Sequence, residues 1–272
     1  MRKIKIAGLA ALFLAALCCC TGCGKMPEEE AMQESFYNIT EIDAEMEIAD
    51  VTLFACPGDA VTVEYRNYKN DKCVIEERDG ILRIRRDYPR LNWNFLFGRK
   101  DYSLRIGIPE NYSGGLSITT TTGKINASGL SLPEDASFTA TTGGISLKDI
   151  DAAGELRICM TTGKIEGENL TCRELRAVST TGKIALTGAS ADRMKLQTTT
   201  GAIDAELTAV AESAHIETTT GSIKCRIHDS AANFKITGHT TTGRRDVPAG
   251  GDGPKLLEAN TTTGSVRIEF TE

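Results

Sequence analysis

The chain has 272 residues, a formal net charge of −6 and 40% hydrophobic content, enough to bury one sizeable or stacked core and too much for disorder along its whole length. Twenty-six glycines, seven prolines and only 6% aromatic residues favour strands punctuated by turns over a helical bundle. The acidic balance argues against nucleic acid as a partner.

In chain order, Arg2, Lys3 and Lys5 precede an apolar run from Ile6 to Leu17, the order of a secretory leader and too short for a comfortable membrane span. The stretch Cys20-Thr21-Gly22-Cys23 resembles the bacterial lipoprotein signal, in which a small residue precedes the cysteine that is diacylated. That resemblance implies a signal peptide over residues 1–22 and lipidation at Cys23. The protein would then be exported and anchored to the outer face of the bacterial cell membrane, since two acyl chains give stable anchoring. Loss of the three basic residues in the leader takes the formal charge to −9. Residues 23–35, with Pro27, Glu28, Glu29, Glu30 and Glu34, read as an acidic tether.

Residues 36–115 read as a β-rich N-terminal cap or a set of early coils. Val61–Tyr65, Lys72–Glu76 and Ile81–Arg85 alternate in polarity and are separated by turn signals at Gly58-Asp59, Asn67–Asp71 and Asp79-Gly80. A cap is needed because an open solenoid end exposes unpaired strand edges.

From residue 116 to 272 a motif recurs. Its glycines are Gly123, Gly143, Gly163, Gly182, Gly201, Gly221, Gly243 and Gly264, at intervals of 19–22 residues, and each follows two threonines. Apolar residues stand seven and five positions before the glycine (Leu116 and Ile118, Leu156 and Ile158, Met194 and Leu196), a period of two. Another column follows two positions after it: Ile125, Ile145, Ile165, Ile184, Ile203, Ile223 and Val266. The inward parity therefore changes at Thr-Gly, as a corner requires. A third apolar column stands six or seven positions on, at Leu130, Ile150, Leu170, Leu207 and Ile227.

Three short apolar segments per turn describe an all-β fold, a single-stranded-type β-solenoid of about eight coils. Each glycine should stack on the next, and the threonine just before it should satisfy backbone groups at the corner. Arg244–Pro254 reads as a loop bulging from the seventh turn, and Arg267 and Glu269 as charges that guard the far end.

The segment Leu104-Arg-Ile-Gly-Ile-Pro109, then Leu116-Ser-Ile-Thr-Thr-Thr-Thr-Gly123 and the repeated Thr-Thr-Gly-x-Ile units, resembles the bacterial domain-of-unknown-function family of β-strand repeat proteins called "putative adhesins". The resemblance covers roughly residues 36–272. It implies a β-repeat fold and an exported or membrane-attached protein, and it carries no catalytic residues.

The residues themselves point the same way. The position after each glycine gives a broken basic column, Lys124, Lys164 and Lys183, without acidic partners at a fixed offset; it would suit an acidic polymer, or be solvated charge. Trp93, Phe95, Phe97 and Arg99 lie in an aromatic and basic stretch suited to a glycan, a partner protein or a membrane interface, or to burial over the solenoid. His215, His228 and His239 lack metal-ligand spacing and read as exposed bystanders. Cys56, Cys73, Cys159, Cys172 and Cys225 form no disulfide framework, Cys56 with Cys73 being the one pairing worth testing. No cofactor or metal is implied.

The expectation is thus a non-enzymatic, lipid-anchored surface protein, an adhesin or envelope-interaction scaffold whose partner is a cell-wall or host-surface polymer or an envelope protein. The alternative is a component of an envelope-stress or regulatory assembly docking on a membrane protein, and the third reading is an envelope polysaccharide-processing enzyme.

Overall fold

The computed structural model describes residues 29–68, 71–87 and 102–271. No α-helix occurs among them; a 3-10 turn at Ala231–Asn233 interrupts sixteen strands. The signal peptide, Cys23, Trp93, Phe95, Phe97 and Arg99 lie outside the described residues.

The repeat folds as a solenoid-like stack. Its strands are long because the backbone stays extended around the corners: β8 covers Gly115–Leu132, β9 Ala136–Thr181, β10 Ile184–Thr200 and β11 Ile203–Thr220. Pairing is parallel and in register with the repeat, so that Thr122 meets Thr142, Ile125 meets Ile145 and Leu130 meets Ile150. The burial pattern of β8 alternates through Thr120, shows two exposed threonines, and resumes at Ile125 on the opposite parity. That is the corner expected from the spacing, because the chain must turn at Thr-Gly to keep its apolar side chains on one interior. A second corner follows six residues on, where Gly129, Asp149, Asn169 and Gly188 take the left-handed conformation that glycine, aspartate and asparagine tolerate.

The glycine column has a measurable cause. All eight repeat glycines have φ between +139° and +152°, a region closed to ordinary side chains. A Cβ on Gly182 would also lie 1.7 Å from the carbonyl oxygen of Gly163 in the neighbouring turn. The threonine directly before the glycine does not satisfy the corner backbone, contrary to expectation; both threonines of each motif point outward and are exposed. In five of the eight turns that role falls to the threonine three before the glycine. Thr120 Oγ1 donates to Ala49 O (3.1 Å), Thr198 to Gly182 O (3.2 Å), Thr218 to Gly201 O (3.0 Å), Thr240 to Gly264 O (2.7 Å) and Thr261 to Gly221 O (3.0 Å). These hydroxyls point into the interior, where a carbonyl without a donor would be costly.

The N-terminal segment continues the same faces. β2 (Glu41–Ile48) and β3 (Asp50–Cys56) turn at Ala49 and pair in parallel with the two halves of β8. Beyond β2, one sheet adds β6 (Ile81–Asp87) and then β5 (Lys72–Arg78). Beyond β3, the other adds β7 (Ser103–Pro109), β4 (Ala60–Tyr68) and β1 (Glu29–Tyr37). The acidic segment from Glu29 onward is therefore an edge strand paired antiparallel to β4, not part of a tether. Its alternate side chains Met32 and Phe36 pack against the core, which explains why it is held.

At the other end the stacking order departs from the chain order. β12 (Ile223–Ile227) pairs with β16 (Val266–Phe270), and β11 pairs with β15 (Lys255–Thr263). The intervening copy, β13 (Phe234–Thr242) and β14 (Arg245–Asp246), pairs outside them. The last copy in sequence thus inserts between its two predecessors. The reason lies in the side chains. β15 and β16 present Leu257, Ala259, Val266 and Ile268, all buried, whereas the preceding copy has Gly238 five before its glycine and Arg245 two after it. A turn with those residues cannot fill an internal level, so it takes the outermost one.

Residues 244–254 do not bulge outward but fold back over this outer turn. Val247 occupies the space left by Gly238, where a Cβ would lie 2.6 Å from Val247 Cγ2, and Gly251 N donates to Phe234 O (2.9 Å). Arg267 and Glu269 are consequently internal to a ladder with Arg226 and Asp246, not guards of the end. One contiguous apolar core runs from Ile39 to Ile268, with Phe138 and Phe234 among its largest fully buried side chains.

Candidate functional site

The basic column is not free. Lys164 Nζ pairs with Glu166 on its own strand, and Lys183 Nζ reaches Asp204 Oδ2 at 3.1 Å in the next turn. Lys148 and Glu168 make a further pair on the same face at 2.9 Å. The acidic partners stand at no fixed offset, as the spacing indicated, yet two of the lysines are paired: Glu166 lies two residues on along the same strand, and Asp204 is brought beside Lys183 from the next turn by strand pairing. Lys124 instead contributes its backbone N–H, which donates to Asp50 Oδ1 at 2.7 Å and ties the first repeat to β3.

Two of the three histidines are likewise employed, while His239 is exposed. His215 Nδ1 lies 3.0 Å from Glu258 Oε2, and His228 Nε2 lies 3.0 Å from Glu206 Oε1 while its Nδ1 meets Thr271 Oγ1 at 3.2 Å. Both bridge the seam where the last copy inserts. Beside them Asp229 accepts from Lys255 Nζ (2.7 Å), Asn233 Nδ2 (2.7 Å) and Ser230 N (2.7 Å), and chiefly the Lys255 bond holds its carboxyl below the ordinary aspartate value.

Four of the five described cysteines are buried, and Cys159 is partly exposed. Cys56 and Cys73 are free and buried, and burial pushes the Cys73 thiol up to about 11 and those of Cys172 and Cys225 to about 12, so none is a thiolate at neutral pH. Among the described residues no group of three or more His, Cys, Asp or Glu side chains is placed to hold a metal ion.

A recess of ≈ 550 Å³ lies where the first repeats meet β2. Its floor exists because two consecutive turns carry serine, Ser117 and Ser137, at a position where the next three carry Arg157, Arg176 and Lys195. One wall is the pair Glu155–Arg157 (3.0 Å), and the opposite wall is Glu41. The loop residues Glu134 and Asp135 close the side. The frame is fixed by three contacts: Tyr112 Oη donates to Gly115 O (2.6 Å), Asp135 Oδ1 accepts from Glu155 N (2.7 Å), and Gly114 lies so near Thr40 O that a Cβ would fall 2.1 Å from it. Hydrogen bonding to Glu155 holds the Arg157 guanidinium more firmly in its charged form. Such a lining offers hydroxyls that both donate and accept, carboxylate acceptors and one fork of donors. Sequence reasoning passed over it, although the signal was there in the change from serine to arginine along one column.

Residues 39–271 match the family described as Toastrack DUF4097. The chain belongs to that family. Among solved structures, this Toastrack chain is similar to a protein of Bacteroides fragilis described as a "putative adhesin", at 15% identity over 91% of this chain and 100% of that one, with a TM-score of 0.48. It is also similar to a protein of Parabacteroides distasonis described as a "putative lipid binding protein" (15% identity, 90% and 97% covered, TM-score 0.48). A third is a "putative adhesin" of Parabacteroides merdae (13% identity, 90% and 96% covered, TM-score 0.43). No curated protein matches the Toastrack chain.

Proposed function

We propose that this protein is an exported, lipid-anchored, non-enzymatic scaffold of the adhesin type: a solenoid of about eight coils with an N-terminal β cap, tied to the membrane through Cys23, that meets a cell-wall or host-surface polymer along its side. The observation that carries this reading is the lateral surface. Outward side chains stand in columns repeated at the strand spacing of about 4.8 Å, the form of a rigid platform for an extended polymer. The recess at Ser117 and Ser137 interrupts that platform and is where the reading locates contact.

The test is capture by immobilised residues 24–272, offered purified cell-wall polysaccharides, host matrix proteins and detergent-solubilised membranes, with Trp93→Ala alongside. Saturable retention of a polymer or matrix protein is expected. Capture of one membrane protein with no polymer bound would replace this reading with the regulatory one.

A further inference from the structure

We infer that the recess at Ser117 and Ser137 is a glycan site, selective for sugars that carry hydroxyl and amino groups and no acidic groups. The inference rests on the adhesin-type reading and narrows its partner. The volume of ≈ 550 Å³ falls within the range of small-molecule sites. Its chemistry is that of polyol recognition. Carboxylates accept two hydrogen bonds from neighbouring hydroxyls, serines donate or accept as required, and a guanidinium supplies directed donors.

Which sugars fit follows from charge. Glu41, Glu134, Asp135 and Glu155 stand against Arg157 alone, and Glu155 already engages that guanidinium. An anionic polymer would bring like charge into this recess, whereas ammonium or neutral hydroxyl groups meet acceptors. The basic column of Lys164 and Lys183, the other place an acidic polymer would go, is occupied by Glu166 and Asp204. Among the described residues no aromatic side chain lines the recess, and its apolar residues Leu116 and Ala136 are only 3% and 2% exposed, so an aromatic ligand finds no ring to stack on.

Preorganisation makes the recess more than a gap between side chains. The bonds from Tyr112 to Gly115 and from Glu155 N to Asp135, with the close approach of Gly114 to Thr40, hold its backbone before any ligand arrives. Because Ser117 and Ser137 occupy equivalent positions in adjacent turns, their hydroxyls repeat at the strand spacing and can follow one ring of a chain rather than a single point.

Titration calorimetry of the full folded domain with chitotetraose, its fully de-N-acetylated form and a heparin tetrasaccharide tests this. Saturable binding of one or both chitin-derived sugars is expected, with heparin binding at least tenfold weaker. Ser137→Trp, which fills the recess from an outward strand position, should weaken the sugar at least tenfold while leaving the melting temperature within a few degrees. Arg157→Ala provides a second variant in case the first unfolds, and should also weaken binding. Equal or tighter binding of heparin, unchanged affinity in both variants, or no binding of either chitin-derived sugar overturns the inference. If polymer capture by the immobilised domain persists in Ser137→Trp, the adhesin-type reading survives and only the site is wrong; if no polymer is captured at all, both fall.

Discussion

At the residue scale the repeat reduces to a division of labour among three positions. The glycine turns the corner, a threonine three before it seals the corner from inside in five of the eight turns, and the two threonines between decorate the edge. Gly182→Ala should cost about 3 kcal/mol or more in urea unfolding, because it combines a forbidden φ of +151° with a backbone clash against Gly163. Thr181→Ala, on the exposed edge, should stay within about 0.5 kcal/mol of the parent. Ser179 tests the sealing role from the other direction. It occupies the sealing position in its turn, yet its Oγ is buried without a hydrogen-bond partner. Ser179→Thr, which copies the side chain found at Thr198 and Thr218, should place a hydroxyl on the Gly163 carbonyl and raise stability by about 1 kcal/mol. An unchanged or lower midpoint would show that the hydroxyl does not hold the corner.

At the element scale the inserted last copy is the feature that linear reading missed. The period, the corner and the change of parity were legible because Thr-Thr-Gly and the Ile that follows are backbone requirements repeated in nearly every turn. Stacking order was not, because the last two copies carry the same motif, His-Thr-Thr-Thr-Gly and Asn-Thr-Thr-Thr-Gly, and nothing local says which turn lies outside. The deciding residue was visible all the same: Arg245 stands where the other turns place Ile or Val. The recess was hidden for a related reason, since it is made by small side chains and becomes a shape only when turns are laid side by side. Arg245 donates through Nε to Gly238 O (2.8 Å) and puts a charge on the outermost edge. Arg245→Ile should therefore promote end-to-end association, seen as a concentration-dependent rise in mass by light scattering, while the parent stays constant. The Asp229–Lys255 pair ties the insertion to the preceding turn. The folded carboxyl of Asp229 titrates below its unfolded value, so its contribution is complete above about pH 4 and is lost as pH falls through the lowered folded value. Asp229→Asn should be less stable than the parent at pH 6, with the gap closing toward pH 2.5 in urea unfolding. A gap independent of pH would remove the charge from the account.

At the scale of the whole molecule, the lipid anchor proposed at Cys23 would combine with the fold to set an orientation. One face stacks twelve strand levels, from β1 through β4, β7 and β3 to the outermost β14, which at about 4.8 Å per step makes a rod roughly 50 Å long. Because β1 begins at Glu29, lipidation at Cys23, as proposed, would leave five intervening residues, whose full extension spans roughly 20 Å. The end carrying β1 and β5 is then the base, and the turn covered by residues 244–254 is the tip. With a formal net charge of −9 once the leader is lost, lying flat would bring like charge against an anionic bilayer, so repulsion favours a raised tip. The recess at Ser117 and Ser137 falls in the lower half of such a rod, within reach of polymers close to the membrane. Single fluorophores at Val74 on the base edge and at Asp252 in the covering loop, with the half-exposed Cys159 replaced by serine, test this on the lipidated protein in anionic vesicles. Energy transfer to a headgroup acceptor should be strong from position 74 and several-fold weaker from position 252. Equal transfer from both would mean that the rod lies along the membrane, presenting one face to lipid and only the opposite one to a polymer.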